Sequence, residues 1–333
     1  MAIASRDHWN AARYQPGTAA GHYESWFQRA NDPTGQRAFW IRYTIFAPRG
    51  RPDAAVGELW AIAFDRDGPR IVAVKQVHPV AACRFAPGRL DVAIGDARLD
   101  DASLRGTATA AGHTLAWDLA CTGGQPPLLL LPERLYAAAI PRAKALVGRP
   151  LARFTGTITV DGAALAVDDW VGSQNHNWGS QHTDRYAWGQ VAGFDEDPDA
   201  FLECSTARLK LGPLWTPAMS PVLLRLGGRT LAWNGLLRAI RARGRYAPYD
   251  WRIETSGPDG DLALHISAGA SDFVALRYDN PPGGSKICLN SKIARCELTL
   301  RRAGSATELQ LHSSRAAFEI LDDTAPPGVQ PVA

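Results

Sequence analysis

The sequence has little net charge and no long apolar run. Its 36 basic and 33 acidic side chains leave a formal net charge of +3, which gives no basic surface for nucleic acid. No stretch approaches the roughly 18 apolar residues of a membrane-spanning helix. The residues after Met1 also lack the basic and apolar regions of a signal peptide. We therefore expect a soluble, cytoplasmic protein that does not bind nucleic acid.

The sequence also lacks the short motifs that hold common cofactors or nucleophiles. It has no Gly-x-x-x-x-Gly-Lys-Ser/Thr loop, no Gly-x-Gly-x-x-Gly that opens a helix, no Gly-x-Ser-x-Gly and no His-Glu-x-x-His. Only His176 and His182 lie close together among the histidines, and with Asp184 they offer the alternative of a metal site. The five cysteines include no Cys-x-x-Cys pair, which favours free thiols. The expectation is chemistry with no metal and no other cofactor.

Tryptophan is abundant, with 11 among the 333 residues. Each indole brings a large apolar surface and one N–H group that needs an acceptor when it is buried. This composition favours a protein with an aromatic-lined ligand cavity. The alternative is that most of the tryptophans fill ordinary cores.

Hydrophobic residues alternate with a period of two along most of the chain, which predicts strands. Turns rich in Gly and Asp join many of these strands in pairs. The predicted hairpins are 59–64 with 70–77, 154–160 with 163–167, 222–226 with 229–233, 251–255 with 261–266, and 296–301 with 307–312. The pattern predicts an all-β protein built as a sandwich or barrel.

Helix is scarce, and the best segment for one, Pro132–Ile140, allows only two turns before a proline. The length of the chain suits two domains of ordinary size. We assign them to residues 1–170 and 171–333, meeting near residues 165–190.

Residues 168–190 interleave polar and aromatic side chains densely. The segment holds three Trp, two His, three Asp, two Asn and one Tyr. A plain core strand carries few such groups, because each buried polar atom must be hydrogen-bonded. On a strand, Asp184, Tyr186 and Trp188 would point to one face. We interpret the segment as part of a site; the alternative is a buried polar network that fixes the seam between the two halves.

A second polar and aromatic segment covers residues 21–31 and precedes a clear strand at 38–46. Alternation along that strand puts Trp40 and Arg42 on one face, which predicts an arginine that is buried or faces a cavity. A buried guanidinium needs a carboxylate partner, for which Glu24 is the candidate. This pair is either part of a site or a purely structural ion pair.

Parts of both segments resemble the AttH-like, lipocalin-like superfamily. The matching pieces are Tyr23–Asn31, Phe39–Thr44, Gln174–Gly179, His182–Gln190 and Cys288–Ala294. That superfamily includes carotenoid 1,2-hydratase (hydroxyneurosporene synthase) and is related to tocopherol cyclase and to lipocalin-like Diels–Alderases. The resemblance covers most of the chain. It implies two packed lipocalin-like (calycin-like) antiparallel β-barrel domains, little helix, and a hydrophobic pocket near their junction.

The resemblance also implies an activity. In the carotenoid hydratases an acidic residue protonates a carbon–carbon double bond, and the residues that match this role here are Asp184 with Tyr186, His176 and Trp178. Burial among aromatic rings keeps a carboxyl protonated, and aromatic faces stabilise a carbocation. We therefore expect a cofactor-independent hydratase or cyclase for a hydrophobic isoprenoid- or polyene-like molecule, with at most transient membrane contact during substrate uptake.

The catalytic residues expected from the sequence are Asp184, His176, Tyr186 and Glu24. The expected substrate-binding residues are Trp178, Trp188, Tyr23, Trp26, Trp40, Arg42, Asn177 and Glu203. Two other functions stay open: a carrier of lipids or other hydrophobic ligands, and a pericyclase, which needs only shape and hydrogen bonds. A buried carboxyl that faces the pocket would favour the acid catalyst over the carrier.

Overall fold

The computed structural model describes residues 5–68, 70–304, 307–326 and 329–332. Strands make up 61% of the chain and helices 7%, which confirms the predicted all-β class. The strands pair antiparallel with their neighbours in two large sheets. Within the described ranges, no helix is long and apolar enough to cross a membrane.

The first sheet has 11 strands and closes almost completely into a barrel. Its strands are β1 (His22–Asn31), β2 (Arg37–Ala47), β3 (Val56–Asp65), β4 (Arg70–Pro79), β5 (Cys83–Phe85), β6 (Asp91–Ile94), β7 (Ala97–Asp100), β8 (Ser103–Ala110), β9 (His113–Gly123), β10 (Ala143–Val160) and β11 (Ala163–Gly179). In this sheet β1 pairs with both β2 and β11. The two segments that resemble the superfamily therefore lie side by side, although more than a hundred residues separate them.

The second sheet has ten strands. Its strands are β12 (Arg185–Ala192), β13 (Phe201–Arg208), β16 (Val222–Leu226), β17 (Arg229–Ala232), β18 (Arg243–Ala247), β19 (Asp250–Gly257), β20 (Gly260–Ser267), β21 (Val274–Asp279), β22 (Ser285–Arg301) and β23 (Glu308–Asp322), and a separate small hairpin joins β14 (Lys210–Leu211) to β15 (Leu214–Trp215). Strand β12 lies between β13 and β23, so its side chains are flanked by theirs.

In the part of the chain that the structure describes, helical structure is limited to short pieces. The helices are α1 (Arg6–Asn10), α2 (Arg134–Ala137) and α3 (Leu236–Arg241), with 3₁₀ turns at Pro52–Ala54, Val80–Ala82 and Ala270–Asp272. The two-turn helix predicted at Pro132–Ile140 is thus a single turn, α2. It ends early because Ala138 has extended backbone angles. The hydroxyl of Tyr136 donates to the carbonyl oxygen of Ala145 at 2.7 Å, which ties this turn to β10.

All five predicted hairpins are present, as β3–β4, β10–β11, β16–β17, β19–β20 and β22–β23. The domain boundary assigned between residues 170 and 171 falls inside β11. Both partners of β11 belong to the first sheet, so the whole strand belongs there. We propose that the domains divide at residues 180–184, inside the region where the sequence placed their meeting.

Strand β2 is buried on both faces and links the two halves. Phe39 and Ile41 pack into the core of the first barrel. Trp40, on the opposite face, packs with Trp188 and Leu276 of the second sheet. Truncating an aromatic side chain buried in this way costs about 3–5 kcal/mol. The alternation predicted for this strand therefore gives one face that packs into the first barrel and one that packs against the second sheet.

Candidate active site

A cavity of about 380 Å³ lies between the two sheets. Strands β1, β2 and β11 contribute to one wall, and β12, β13, β21 and β23 contribute to the other. The aromatic residues of the lining are Tyr23, Phe27, Trp40, Tyr186, Trp188 and Tyr278. Two further lining residues, Ile140 and Leu236, are 59% and 55% exposed. The cavity therefore opens beside α3 through an apolar mouth.

Glu203 is a buried carboxyl that faces this cavity. Strand alternation directs its neighbours Leu202 and Cys204 into the core of the second domain. Its Oε1 accepts a hydrogen bond from Trp188 Nε1, and its Oε2 accepts one from Gln190 Nε2, both at 2.8 Å. Burial raises its pKa from 4.5 to about 7, although these two hydrogen bonds favour the charged form. Glu203 therefore keeps a proton to near-neutral pH.

A second carboxyl, Glu319 on β23, lines the same cavity. Its Oε1 accepts hydrogen bonds from Lys292 Nζ at 2.8 Å and from Asn290 Nδ2 at 3.1 Å. The hydroxyl of Tyr186 lies 3.5 Å from its Oε2. Burial lowers the pKa of Lys292, and Glu319 opposes that effect. Glu319 thus has a cation partner, whereas Glu203 has none within ion-pair distance in the described part of the chain.

A buried hydrogen-bond network joins the two sheets behind the cavity. Gln190 Oε1 accepts from Arg29 Nε at 2.8 Å and from Ser173 Oγ at 2.5 Å. Gln190 Nε2 donates to Asn175 Oδ1 at 2.9 Å. Burial lowers the pKa of Arg29 to about 9, with Glu203 acting against the shift. The polar segment at 168–190 therefore contributes both to a buried network at the seam between the sheets and to a wall of the cavity.

His176 and Glu24 form a buried pair beside the first wall. His176 Nε2 lies 2.8 Å from Glu24 Oε1. The same carboxylate accepts hydrogen bonds from the backbone N–H groups of Arg13 at 2.7 Å and Tyr14 at 2.8 Å. Burial disfavours the charge of Glu24, but hydrogen bonds from His176 and His22 outweigh it and lower its pKa to about 2. Because it is ionised near neutral pH and does not line the cavity, we propose that Glu24 positions His176 and does not donate a proton to a substrate.

Asp184, the general acid expected from the sequence, does not line the cavity. It lies just before β12, so the alternation that aligns Tyr186 and Trp188 does not extend to it. Its Oδ2 accepts a hydrogen bond from the backbone N–H of Lys210 at 2.8 Å, which holds the carboxylate against the small hairpin β14–β15. Tyr186 and Trp188 do line the cavity, in agreement with the expected strand face.

The remaining expected binding residues fall into two groups. Tyr23, Trp40, Arg42 and Asn177 line the cavity, together with His176, Trp188 and Glu203. Trp26 instead lies in the core of the first barrel, where its Nε1 donates to the carbonyl oxygen of Asn10 at 2.8 Å. Trp178 packs between His176 and Tyr136, with ring centroids 4.7 Å and 6.0 Å away. Neither of these two tryptophans is in the lining.

Arg42 is not paired with Glu24, contrary to the expectation from the sequence. Arg42 donates to Ser25 Oγ at 2.6 Å, and its guanidinium carbon lies 4.6 Å from the centre of the Tyr278 ring. Consecutive side chains of a strand point to opposite faces. Because Ser25 faces Arg42, its neighbour Glu24 faces away from it.

Sequence reasoning missed Glu319 and Tyr278 as cavity residues. Glu319 stands between Phe318 and Ile320, which pack into the core, and Tyr278 stands in β21. A polar residue between two buried apolar ones was the available signal for Glu319. The same signal marks Glu203, which lies between Leu202 and Cys204.

The histidines of the alternative metal site are engaged separately. The ring of His182 packs against that of Tyr23, with ring centroids 4.0 Å apart, whereas His176 is hydrogen-bonded to Glu24. In the described part of the chain, no group of three or more His, Cys, Asp or Glu side chains is arranged to hold a metal ion. The sequence alternative of a site made by His176, His182 and Asp184 is therefore not formed.

Two packed antiparallel barrel domains with an aromatic-lined cavity between them define a lipocalin-like protein of the two-domain type. Solved structures share this fold. The AttH candidate of Nitrosomonas europaea aligns with a TM-score of 0.60 at 15% identity, covering 94% of this chain and 97% of that one. Kievitone hydratase of Nectria haematococca aligns with a TM-score of 0.54 at 14% identity, covering 93% and 91%. The protein CghA, also crystallised with Sch210972, aligns with a TM-score of 0.54 at 15% identity, covering 95% of each chain.

The resemblance to the AttH-like, lipocalin-like superfamily is thereby confirmed for the fold. Among curated proteins, an uncharacterized protein of Mycobacterium tuberculosis is 26% identical over 286 residues, which is 85% of this chain and 82% of that protein. No family model matches the sequence.

Proposed function

We propose that this protein is a cofactor-independent enzyme of the hydratase or cyclase type. It would protonate a carbon–carbon double bond of a hydrophobic small molecule, with Glu203 as the acid. The observation that supports this is a carboxyl with a pKa of about 7 in the wall of an aromatic cavity. A general acid works best when its pKa lies near the working pH. A simple carrier of apolar ligands needs no such group, and burying one costs stability.

The proposed reaction starts with transfer of the Glu203 proton to one carbon of the double bond. The two electrons of that bond form the new C–H bond, which leaves a carbocation on the neighbouring carbon. Aromatic faces such as that of Trp188 stabilise a nearby cation by about 0.5–2 kcal/mol each. Water then adds to the cation and loses a proton, or a second double bond attacks it and the new cation loses a proton from an adjacent carbon. Glu319 is placed to accept the proton that is released, and exchange with solvent restores both carboxyls.

One structural neighbour, kievitone hydratase, is named for a reaction of this class, and CghA has been crystallised with Sch210972. Their identity to this chain is only 14% and 15%, and identities this low support a shared fold but not a shared reaction. The proposal for this chain therefore rests on Glu203 and on the cavity.

The proposal is tested by identifying a co-purified ligand with native mass spectrometry and then incubating it with the enzyme in D₂O. Protonation of a double bond leaves one deuterium on carbon in the product, where it does not exchange. A pericyclase would form a product without that deuterium. Recovery of the ligand unchanged after prolonged incubation would favour the carrier.

The position of the cavity predicts which tryptophans sense a ligand. A bromoalkane such as 1-bromodecane quenches indole fluorescence at close range, so it should quench Trp188, which lines the cavity, more than Trp178, which does not. We expect Trp188→Phe to reduce the amount of fluorescence that is quenched and Trp178→Phe to leave that amount unchanged. Steady-state fluorescence titration of the two variants measures this. The reverse pattern would place the ligand outside the cavity described here.

A further inference from the structure

Arg42 is a buried cation without a carboxylate partner. Its residue is 4% exposed and lines the cavity from β2. Its guanidinium donates to Ser25 Oγ, and its buried Nε has no hydrogen-bond partner among the described residues. No ion pair joins it to any Asp or Glu in the described ranges. Burying an unpaired charge is costly, so a cation in this position indicates that an anion completes it.

Two further donors without an oxygen acceptor lie beside Arg42. Tyr278 is 6% exposed and Trp40 is 1% exposed. Among the described residues, the Trp40 Nε1 has no partner, and the Tyr278 hydroxyl has none beyond the thiol of Cys288. Both line the cavity. The Arg42 guanidinium carbon lies 4.6 Å from the Tyr278 ring centre and 5.8 Å from that of Trp40. Buried polar groups in proteins are almost always hydrogen-bonded, so three donors without an oxygen acceptor, on β2 and on β21 of the opposite wall, point to a missing ligand group.

The nearby carboxyl that acts on Tyr278 is Glu319, and it is already paired with Lys292 Nζ at 2.8 Å. The ring of His182 packs against Tyr23 and stacks on Tyr278, with ring centroids 4.0 Å and 5.6 Å away. Burial, and next the charge of Arg42, lower the pKa of His182 to about 3, so this imidazole is neutral near pH 7. Burial raises the pKa of Tyr278 well above its ordinary value, so its phenol stays neutral and remains a donor.

We propose that the substrate carries an anionic oxygen group of the carboxylate class, bound by Arg42 with the Tyr278 hydroxyl and the Trp40 N–H. This deepens the proposed function, on which it rests for the use of the cavity as the substrate site. A pure hydrocarbon polyene would leave all three donors without an acceptor. The substrate is therefore amphipathic, with an anionic end held at β2.

A row of aromatic rings separates the proposed anion site from the Glu203 carboxyl. Phe27 lies 6.0 Å from Trp40 on one side and 6.0 Å from Trp188 on the other, measured between ring centroids. Trp188 in turn is bonded to Glu203. The double bond that Glu203 protonates is thus separated from the anionic group by an apolar portion of the substrate that runs along these rings.

The test compares two probes of the same shape, 2-naphthoate and 2-naphthamide, whose affinities are measured by quenching of tryptophan fluorescence at pH 7.5. A hydrogen-bonded charge pair favours the anion, and we expect naphthoate to bind about 10- to 100-fold more tightly than the neutral amide. Arg42→Met keeps most of the side-chain volume and removes the charge, and it should abolish the preference. Tyr278→Phe should weaken naphthoate binding and leave naphthamide binding nearly unchanged.

Arg37→Met is the matched control, since it removes a charge from the same strand at a surface ion pair with Asp65. It should retain the full preference for naphthoate. Equal affinities of the two probes for the wild type, including no binding of either, would overturn the proposal. The proposal would also be overturned if the preference survived in Arg42→Met and disappeared in Lys144→Met. That result would place the anion at Lys144, a second cation in the lining. None of these outcomes bears on Glu203, whose role is judged by turnover.

Discussion

Replacing Glu203 with Gln is expected to lower turnover by about 10²- to 10⁴-fold, the usual contribution of a general acid. The amide keeps the size of the neutral carboxyl and still offers an acceptor to Trp188 Nε1. It has no proton to deliver to a double bond. Ligand affinity should therefore change little. Turnover and affinity measured on the same preparation, with the ligand found by native mass spectrometry, give the result.

The wild type should also show a pH dependence that Glu203→Gln lacks. Because folding raises the pKa of Glu203 from 4.5 to about 7, the folded protein binds this proton more tightly than the unfolded chain does. The bound proton stabilises the folded state in full below pH 4.5, and this stabilisation is lost as the pH rises through 7. At about 1.4 kcal/mol per pKa unit, the free energy of unfolding should fall by up to about 3 kcal/mol relative to the variant. Chemical denaturation at pH 5 and pH 8 measures this, and kcat should fall above pH 7.

Glu297→Gln is the control for both measurements, since Glu297 is an exposed carboxyl on β22. It should leave turnover and the pH profile unchanged. Near-normal turnover in folded Glu203→Gln would remove this residue from the mechanism and favour a pericyclase. Parallel losses of turnover and ligand binding would show that Glu203 shapes the cavity only.

Replacing Glu24 with Gln is expected to destabilise the fold by about 3 kcal/mol at pH 7. Its carboxylate binds two backbone N–H groups and two histidines, and the amide weakens or loses these charged hydrogen bonds. The pKa of Glu24 falls from 4.5 to about 2 on folding, so its contribution is present above pH 4.5 and is lost as the pH falls toward 2. The difference between wild type and variant should therefore shrink from pH 7 to pH 2.

Urea denaturation across this pH range measures the effect, with Glu254→Gln, an exposed carboxyl on β19, as the control. A folded Glu24→Gln with normal stability would contradict the positioning role. If a normally folded Glu24→Gln also lost as much turnover as Glu203→Gln, Glu24 would be assigned a catalytic role.

The fold was largely predictable because strand alternation and turn residues are properties of neighbouring residues. The hairpins and the two faces of β2 follow directly from that alternation. The match of Tyr23–Asn31 and His182–Gln190 to a known superfamily added the two-domain arrangement. The helix at Pro132–Ile140 was predicted too long because its length depends on tertiary contacts, such as the bond from the Tyr136 hydroxyl to the Ala145 carbonyl oxygen.

The site was only partly predictable, for a physical reason that Asp184 and Glu203 show together. The sequence determined that the aromatic side chains of Tyr186 and Trp188 share one face of β12, and it predicted a carboxyl beside them. Only the tertiary structure decided which carboxyls lie there. Strand β12 pairs with β13 and β23, which brings Glu203 and Glu319 to the cavity beside Trp188, whereas Asp184 precedes the strand and is held by Lys210. Burial sets the pKa of a carboxyl, and burial depends on side chains that lie far away in the sequence.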